Sequence, residues 1–179
     1  MQKKFEKINN VKGELSLTGD KSISHRAVIF SAMASGKSSI KNLSLGEDVK
    51  TTMKIIQQLG ATIDTHYEQV FIKGCGFKGF KKSVSDLDCG NSGTSARLIA
   101  GLLAAQNFNS TLNGDESLSK RPMKRVIEPL MIMGTEFQSN KNLTLPLTIT
   151  PRSNIHSINY EMPVASAQVK SSILIAGIH

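Results

Sequence analysis

Four short stretches of this sequence gather hydroxyls, amides, glycines and isolated cations where helices are expected to begin. Residues 19–26 read GDKSISHR, 89–97 read CGNSGTSAR, 114–123 read GDESLSKRPM and 165–172 read ASAQVKSS. The start of a helix attracts anions, because its first backbone N–H groups lack partners and the helix dipole is positive there. Lys21 adds a mobile point charge, whereas Arg26, Arg97 and Arg121 add planar forks suited to phosphate or carboxylate. Gly90 and Gly93 let a ligand approach the backbone where a side chain would obstruct it. The chemistry these residues suit is the holding of small phosphates and carboxylates. Plainer readings exist for each stretch: an N-cap with a solvated lysine at 19–26, and an ion pair of Arg97 with Asp88 or Glu116.

Other chemistries find little support. The stretch ASGKSS at 34–39 resembles the tail of a phosphate-binding P-loop, but Ser31 stands where the first glycine is required. The stretch also follows a helix instead of a strand, so it reads as a polar turn. His25, His66, His156 and His179 share no metal-ligand spacing. The abundant serines allow a Ser–His–Asp triad only by chance. Cys75 lies in the glycine-rich KGCGFKG, with no feature that lowers a thiol pKa, and reads as a turn cysteine. With Cys89 it makes two cysteines, too few for a disulfide framework or a four-cysteine zinc site.

Composition bounds the partners. The 179 residues carry 22 Lys plus Arg against 14 Asp plus Glu, a net charge of +8, which favours an anionic partner. With no Trp and two Tyr among 5% aromatics, stacking platforms for nucleic acid are poorly supplied. No apolar run has the length of a membrane helix, and MQKKFEKINN at the start lacks a secretory stretch. The expectation is a cytoplasmic domain that handles small anions, with neither nucleic acid nor membrane as partner.

The elements that must position these cations recur along the chain. Residues 24–42 and 95–113 both place Ser two before Arg, then small and apolar residues, then a Ser/Thr-rich strand; Arg26 and Arg97 lie 71 apart. Residues 55–63 match 129–137 at an offset of 74, each with a glycine (Gly60, Gly134) where a helix ends. A third copy opens at Ser166, with Lys170 73 residues after Arg97, and the chain ends within it. Each unit reads as helix, strand, helix, strand, strand. Helices are expected over 22–35, 48–59 (capped by Asp48) and 94–105, with strands near 61–66 and 69–73. A last helix should open at Pro122, bury Met123, Val126, Ile127 and Leu130, and kink at Pro129. Strands between helices indicate an α/β fold. Three parallel helices would aim three positive ends at one spot.

In this order and spacing, the four motifs resemble those of the 3-phosphoshikimate 1-carboxyvinyltransferase (EPSP synthase) family, from about Val11 to the end. His25 stands where one branch of that family has asparagine. The related transferase that acts on UDP-N-acetylglucosamine has different motifs, including a loop cysteine whose context neither Cys75 nor Cys89 shares. The resemblance implies βαβαββ units of an inside-out α/β barrel, with residues 20–179 forming one substrate-binding domain whose third unit is incomplete. Residues 1–19 would be a strand segment of a second domain. It implies transfer of the enolpyruvyl group of phosphoenolpyruvate to the 5-hydroxyl of shikimate 3-phosphate, with release of phosphate and no metal or organic cofactor. Lys21, Ser22, Arg26, Ser166, Ala167 and Gln168 match shikimate 3-phosphate contacts. Lys21, Gly93, Arg121 and Gln168 match the phosphoenolpyruvate side, and Asn91, Thr94 and Arg97 are supporting candidates. No catalytic acid or base is assigned beyond Lys21 as a candidate, the full-length enzyme is expected to be a monomer, and a non-catalytic anion-binding module is the alternative.

Overall fold

The structure, a computed structural model, describes residues 3–151 and 155–178, so His179 lies outside the described residues. Residues 3–20 form neither helix nor strand and leave Phe5, Ile8, Val11 and Leu15 exposed. Helix α1 (Lys21–Met33) follows, capped by Asp20, and ends where Ala34 turns extended into strand β1 (Ser35–Lys41). Helix α2 (Glu47–Gln58) buries Val49, Thr52, Ile55 and Ile56 along one face. Strands β2 (Thr62–His66) and β3 (Gln69–Cys75) form a hairpin, with Tyr67 at φ 51° in its turn. The three strands lie in the antiparallel order β1-β3-β2, with Ser35 opposite Cys75 and Lys41 opposite Gln69.

The second half repeats this plan. Strand β4 (Leu87–Asp88) leads into α3 (Gly93–Ala104), β5 (Ser110–Asn113), a 3-10 turn (Leu118–Lys120) and α4 (Lys124–Ile132). Strands β6 (Glu136–Gln138) and β7 (Leu147–Thr150) complete a sheet in the order β4-β5-β7-β6, with β4 parallel to β5 and the other pairs antiparallel. The order β5-β7-β6 reproduces β1-β3-β2. The sequence repeat is therefore a structural one: the second unit is a full βαβαββ, and α5 (Ala167–Ala176) repeats the first helix of each unit. The first unit lacks a counterpart of β4 among the described residues, which leaves the outer edge of β1 without a strand partner there.

Several sequence expectations are corrected. Residues 34–39 are not a turn, because Ser35–Lys41 form β1 along its full pairing with β3. The Ser/Thr-rich strand expected from the repeat therefore begins earlier than the turn reading allowed, with Ser38 and Ile40 half-buried. Gly46, not Asp48, is the N-cap of α2, and it makes no side-chain cap hydrogen bond. Pro122 precedes α4, whose cap is Met123, and the helix runs past Pro129 to Ile132. The apolar stripe of α4 is buried as expected, Met123, Val126, Ile127 and Leu130 all being nearly inaccessible.

Helix α3 is the central pillar, with Leu98, Ile99, Leu102 and Leu103 fully enclosed. It crosses α5 closely enough that a Cβ at Gly101 would collide with the carbonyl of Ser172. That contact brings the start of α5 beside the start of α3.

Candidate anion-binding site

The three first helices of the repeats, α1, α3 and α5, are capped alike. Asp20 Oδ1 accepts from the Ile23 N–H at 2.7 Å, Ser92 Oγ from Ser95 at 3.1 Å, and Ser166 Oγ from Val169 at 3.3 Å. Each cap meets the third amide, which leaves the first two of each helix without an intrahelical partner. An open cleft of about 720 Å³ lies between the helix starts. Ser22 and Arg26 of α1, Thr94 of α3, and Ser166, Gln168 and Lys170 at α5 face it, and among the described residues no acidic side chain lines it. The expected convergence of three helix starts is present.

The cations are less symmetric than the caps. Caps recur at spacings of 72 and 74 residues, so Arg26, Arg97 and Lys170 fall on the sixth, fifth and fourth positions of their helices. Each therefore takes a different direction. Arg26 bridges α1 to α5, donating to the Ser22 carbonyl at 2.8 Å, the Ala167 carbonyl at 3.3 Å and Ser171 Oγ at 2.8 Å. Arg97 donates to Gln168 Oε1 at 3.1 Å and to the carbonyls of Gly93 and Pro122. Gln168 in turn donates to Thr94 Oγ1 at 2.9 Å, so one amide joins α3 and α5. Arg121 donates to Asn91 Oδ1 at 2.6 Å, and the Asn91 amide donates to Asp115 at 2.6 Å.

All the partners of Arg26, Arg97 and Arg121 are neutral oxygens. Among the described residues none of the three has a carboxylate within 4.0 Å. The expected alternative for Arg97 fails: Asp88 accepts from the Gly90 N–H, and Glu116 pairs with Lys120. Burial, then the positive fields of Arg121 and Arg125, push the Arg97 pKa down. A guanidinium so placed gains from an anion. Gly93 lies flush beneath it: an added Cβ would sit 2.5 Å from Arg97 Nη1 and 3.6 Å from Arg121 Nη1. Lys21 stands apart from the cleft and pairs with Asp48 at 2.9 Å.

Burial raises the Cys75 pKa and pushes that of Cys89 up to about 12, which disfavours the thiolate at both. Sequence reasoning missed Ser171, which holds Arg26, and treated Asp48 only as a cap. It also missed Asp115, whose carboxyl is held below its ordinary pKa by the Leu118 N–H and by Asn91. The adjacency of Ser171 to Lys170 was the available clue. Asp48 reaches Lys21, and Asp115 reaches Asn91, only through tertiary contacts.

The chain matches the family described as EPSP synthase (3-phosphoshikimate 1-carboxyvinyltransferase) over residues 5–179. It is 48% identical to the 3-phosphoshikimate 1-carboxyvinyltransferase of Syntrophomonas wolfei, covering 100% of this chain and 42% of that protein. Against the enzyme of the same name from Vesicomyosocius okutanii it is 50% identical, covering 96% and 39%. The solved EPSP synthase of Acinetobacter baumannii superposes with a TM-score of 0.89 at 44% identity, over 92% of this chain and 38% of that one. The chain thus spans about two fifths of the length of these relatives. No helix among the described residues is long and apolar enough to cross a membrane.

Proposed function

Since this chain belongs to the EPSP synthase (3-phosphoshikimate 1-carboxyvinyltransferase) family, we propose that it forms the wall of a transferase site that binds shikimate 3-phosphate and phosphoenolpyruvate. The reaction joins the 5-hydroxyl of the first to the central carbon of the second while its methylene is protonated. Loss of a methyl proton and of phosphate then restores the enol ether. Two phosphates and two carboxylates must be gathered at once. The observation that carries this reading is the set of guanidinium groups around the three helix starts with no carboxylate to neutralise them.

Ser22, Arg26, Ser166, Ala167 and Gln168 are assigned to shikimate 3-phosphate, since they border one cleft. Gly93, Arg121 and Gln168 are assigned to phosphoenolpyruvate, with Arg97, Asn91 and Thr94 in support. Lys21 serves both ligands, which requires it to turn from Asp48. Binding and orientation are this chain's share of the chemistry. Asp48 and Asp115, the carboxylates beside the site, already hold Lys21, Asn91 and the Leu118 N–H. Residues 1–19, in which Phe5, Ile8, Val11 and Leu15 are exposed apolar side chains, are assigned to a second domain of the whole protein, which acts as a monomer in the cytoplasm.

Calorimetric titration of the chain with each ligand tests the reading. Shikimate 3-phosphate should bind in preference to shikimate and to UDP-N-acetylglucosamine, and Arg26→Gln should weaken it about tenfold or more, the loss of 1.4 kcal/mol or more. Equal binding of every phosphate offered would instead mark a non-specific anion module.

A further inference from the structure

Behind the cleft, four polar side chains form a hydrogen-bonded line through the core. His25 in α1 is fully buried, and its Nδ1 lies 2.7 Å from Thr52 Oγ1 of α2. Thr52 Oγ1 lies 2.7 Å from Ser95 Oγ of α3, and Ser95 Oγ lies 2.7 Å from Ser92 Oγ, the cap of that helix. Thr52, Ser95 and Ser92 are at most 1% exposed. Such groups are costly to bury unless each is satisfied, so the line constrains the three helices more than an equal volume of apolar packing does.

Proton bookkeeping gives the line a direction. Ser95 has one hydroxyl proton, and in its 2.7 Å link to Ser92 Oγ it is the donor. By distance alone either hydroxyl could donate in the Thr52–Ser95 link, but with the Ser95 proton spent on Ser92 that link uses the Thr52 proton. Thr52 then has none left, so the His25 link must use a proton on Nδ1. The imidazole is thereby fixed as the neutral Nδ1–H tautomer. Its Nε2, buried without a partner among the described residues, carries a lone pair. The same geometry accounts for a pKa lowered to about 4, with burial as the largest cause, since a second N–H would be buried with no acceptor.

The line meets the candidate site at two points, Ser92 and Ser95. Ser92 sets the start of α3, where Gly93 and Thr94 lie. The Asp48 whose carbonyl meets Ser95 also holds Lys21 through its carboxylate. We propose that His25 is a positioning residue: as a neutral donor through Thr52 and Ser95, it holds the start of α3 and the Lys21–Asp48 pair in one register for the two anions. The functional part rests on the reading above; the tautomer and the local order do not.

Nitrogen NMR of the chain should find His25 protonated at Nδ1 only at neutral pH. Amide hydrogen exchange without ligand should then quicken about tenfold at Ser95 and Ala96 in Thr52→Val, while the later amides of α3 change less than about twofold. His25→Leu should behave alike. His25→Asn restores a donor near the Nδ1 position and should return exchange to the wild-type rate. Thr52→Val should also bind shikimate 3-phosphate and phosphoenolpyruvate about tenfold more weakly. An Nε2–H tautomer, unchanged exchange in Thr52→Val, or uniform quickening along α3 would each overturn the proposal. Failure of the wild-type chain to bind either anion would sink the transferase reading instead, and the exchange pattern would still decide the positioning role.

Discussion

At the scale of single residues, Gly93 ties backbone to charge. A Cβ there meets the end of Arg97, a flexible group that can move, and not a backbone atom. Gly93→Ala is therefore expected to fold normally yet displace the guanidinium. Phosphoenolpyruvate should bind about tenfold more weakly, with shikimate 3-phosphate nearly unaffected, as calorimetry can check. Equal loss of both ligands would point to a collapsed loop. His25 gives a pH dependence of definite sign. Its pKa is about 4 in the fold against 6.5 when free, so the unfolded chain binds the extra proton between those values. Its contribution is complete above about pH 6.5 and fades as the pH falls toward 4, by at most about 3 kcal/mol. Thermal melts should show this slope, and His25→Asn should flatten it. The cations and Gly93 were legible in sequence because each stands in a short local motif. Thr52 and Ser95 were not: a buried hydroxyl is recognised only by its partners, which lie 27 and 43 residues away.

At the scale of elements, the crossing of α3 and α5 fixes how near two helix starts can lie. Alanine in place of Gly101 gains about 1 kcal/mol of helix propensity. It also drives a methyl group into the Ser172 carbonyl, which cannot rotate aside. Overpacking of this kind costs about 1 to 3 kcal/mol, so Gly101→Ala should lose stability despite the better helix former. Denaturant unfolding measures the balance, and a more stable variant would mean that α5 slides freely on α3. The helices were legible from their apolar period, although α2 and α4 begin at other caps than those expected, and the strand pair β2–β3 from the punctuation around it. Strand β1 was legible only in part: the repeat called for a Ser/Thr-rich strand after α1, but SGKSSIK has no alternating apolar face and its first residues read as a turn. Strand β4, two residues long, was likewise below what periodicity can register.

At the scale of the molecule, a chain of net charge +8 opens a cleft lined by Arg26 and Lys170 and, among the described residues, by no acid. Sulfate should raise the melting temperature more than chloride at equal ionic strength, through binding to the folded state. The difference should shrink in a chain carrying both Arg26→Gln and Arg121→Gln. Mixed with both substrates, the chain alone should release no phosphate above background, since the carboxylates beside the site are engaged and proton transfer needs a free acid or base within reach. The repeat made the plan of the whole readable from sequence, whereas the sheet order had to come from the structure. The bare outer edge of β1 affects how the protein can be handled. A free edge is a template on which another copy of the same strand can add. Lys37 and Lys41, both exposed on β1, oppose that addition by mutual repulsion, and salt screens repulsion between exposed charges. Concentrated samples are thus expected to aggregate on addition of sodium chloride and to clear on dilution, a behaviour that light scattering would record and that replacing both lysines with serine would bring on at low salt.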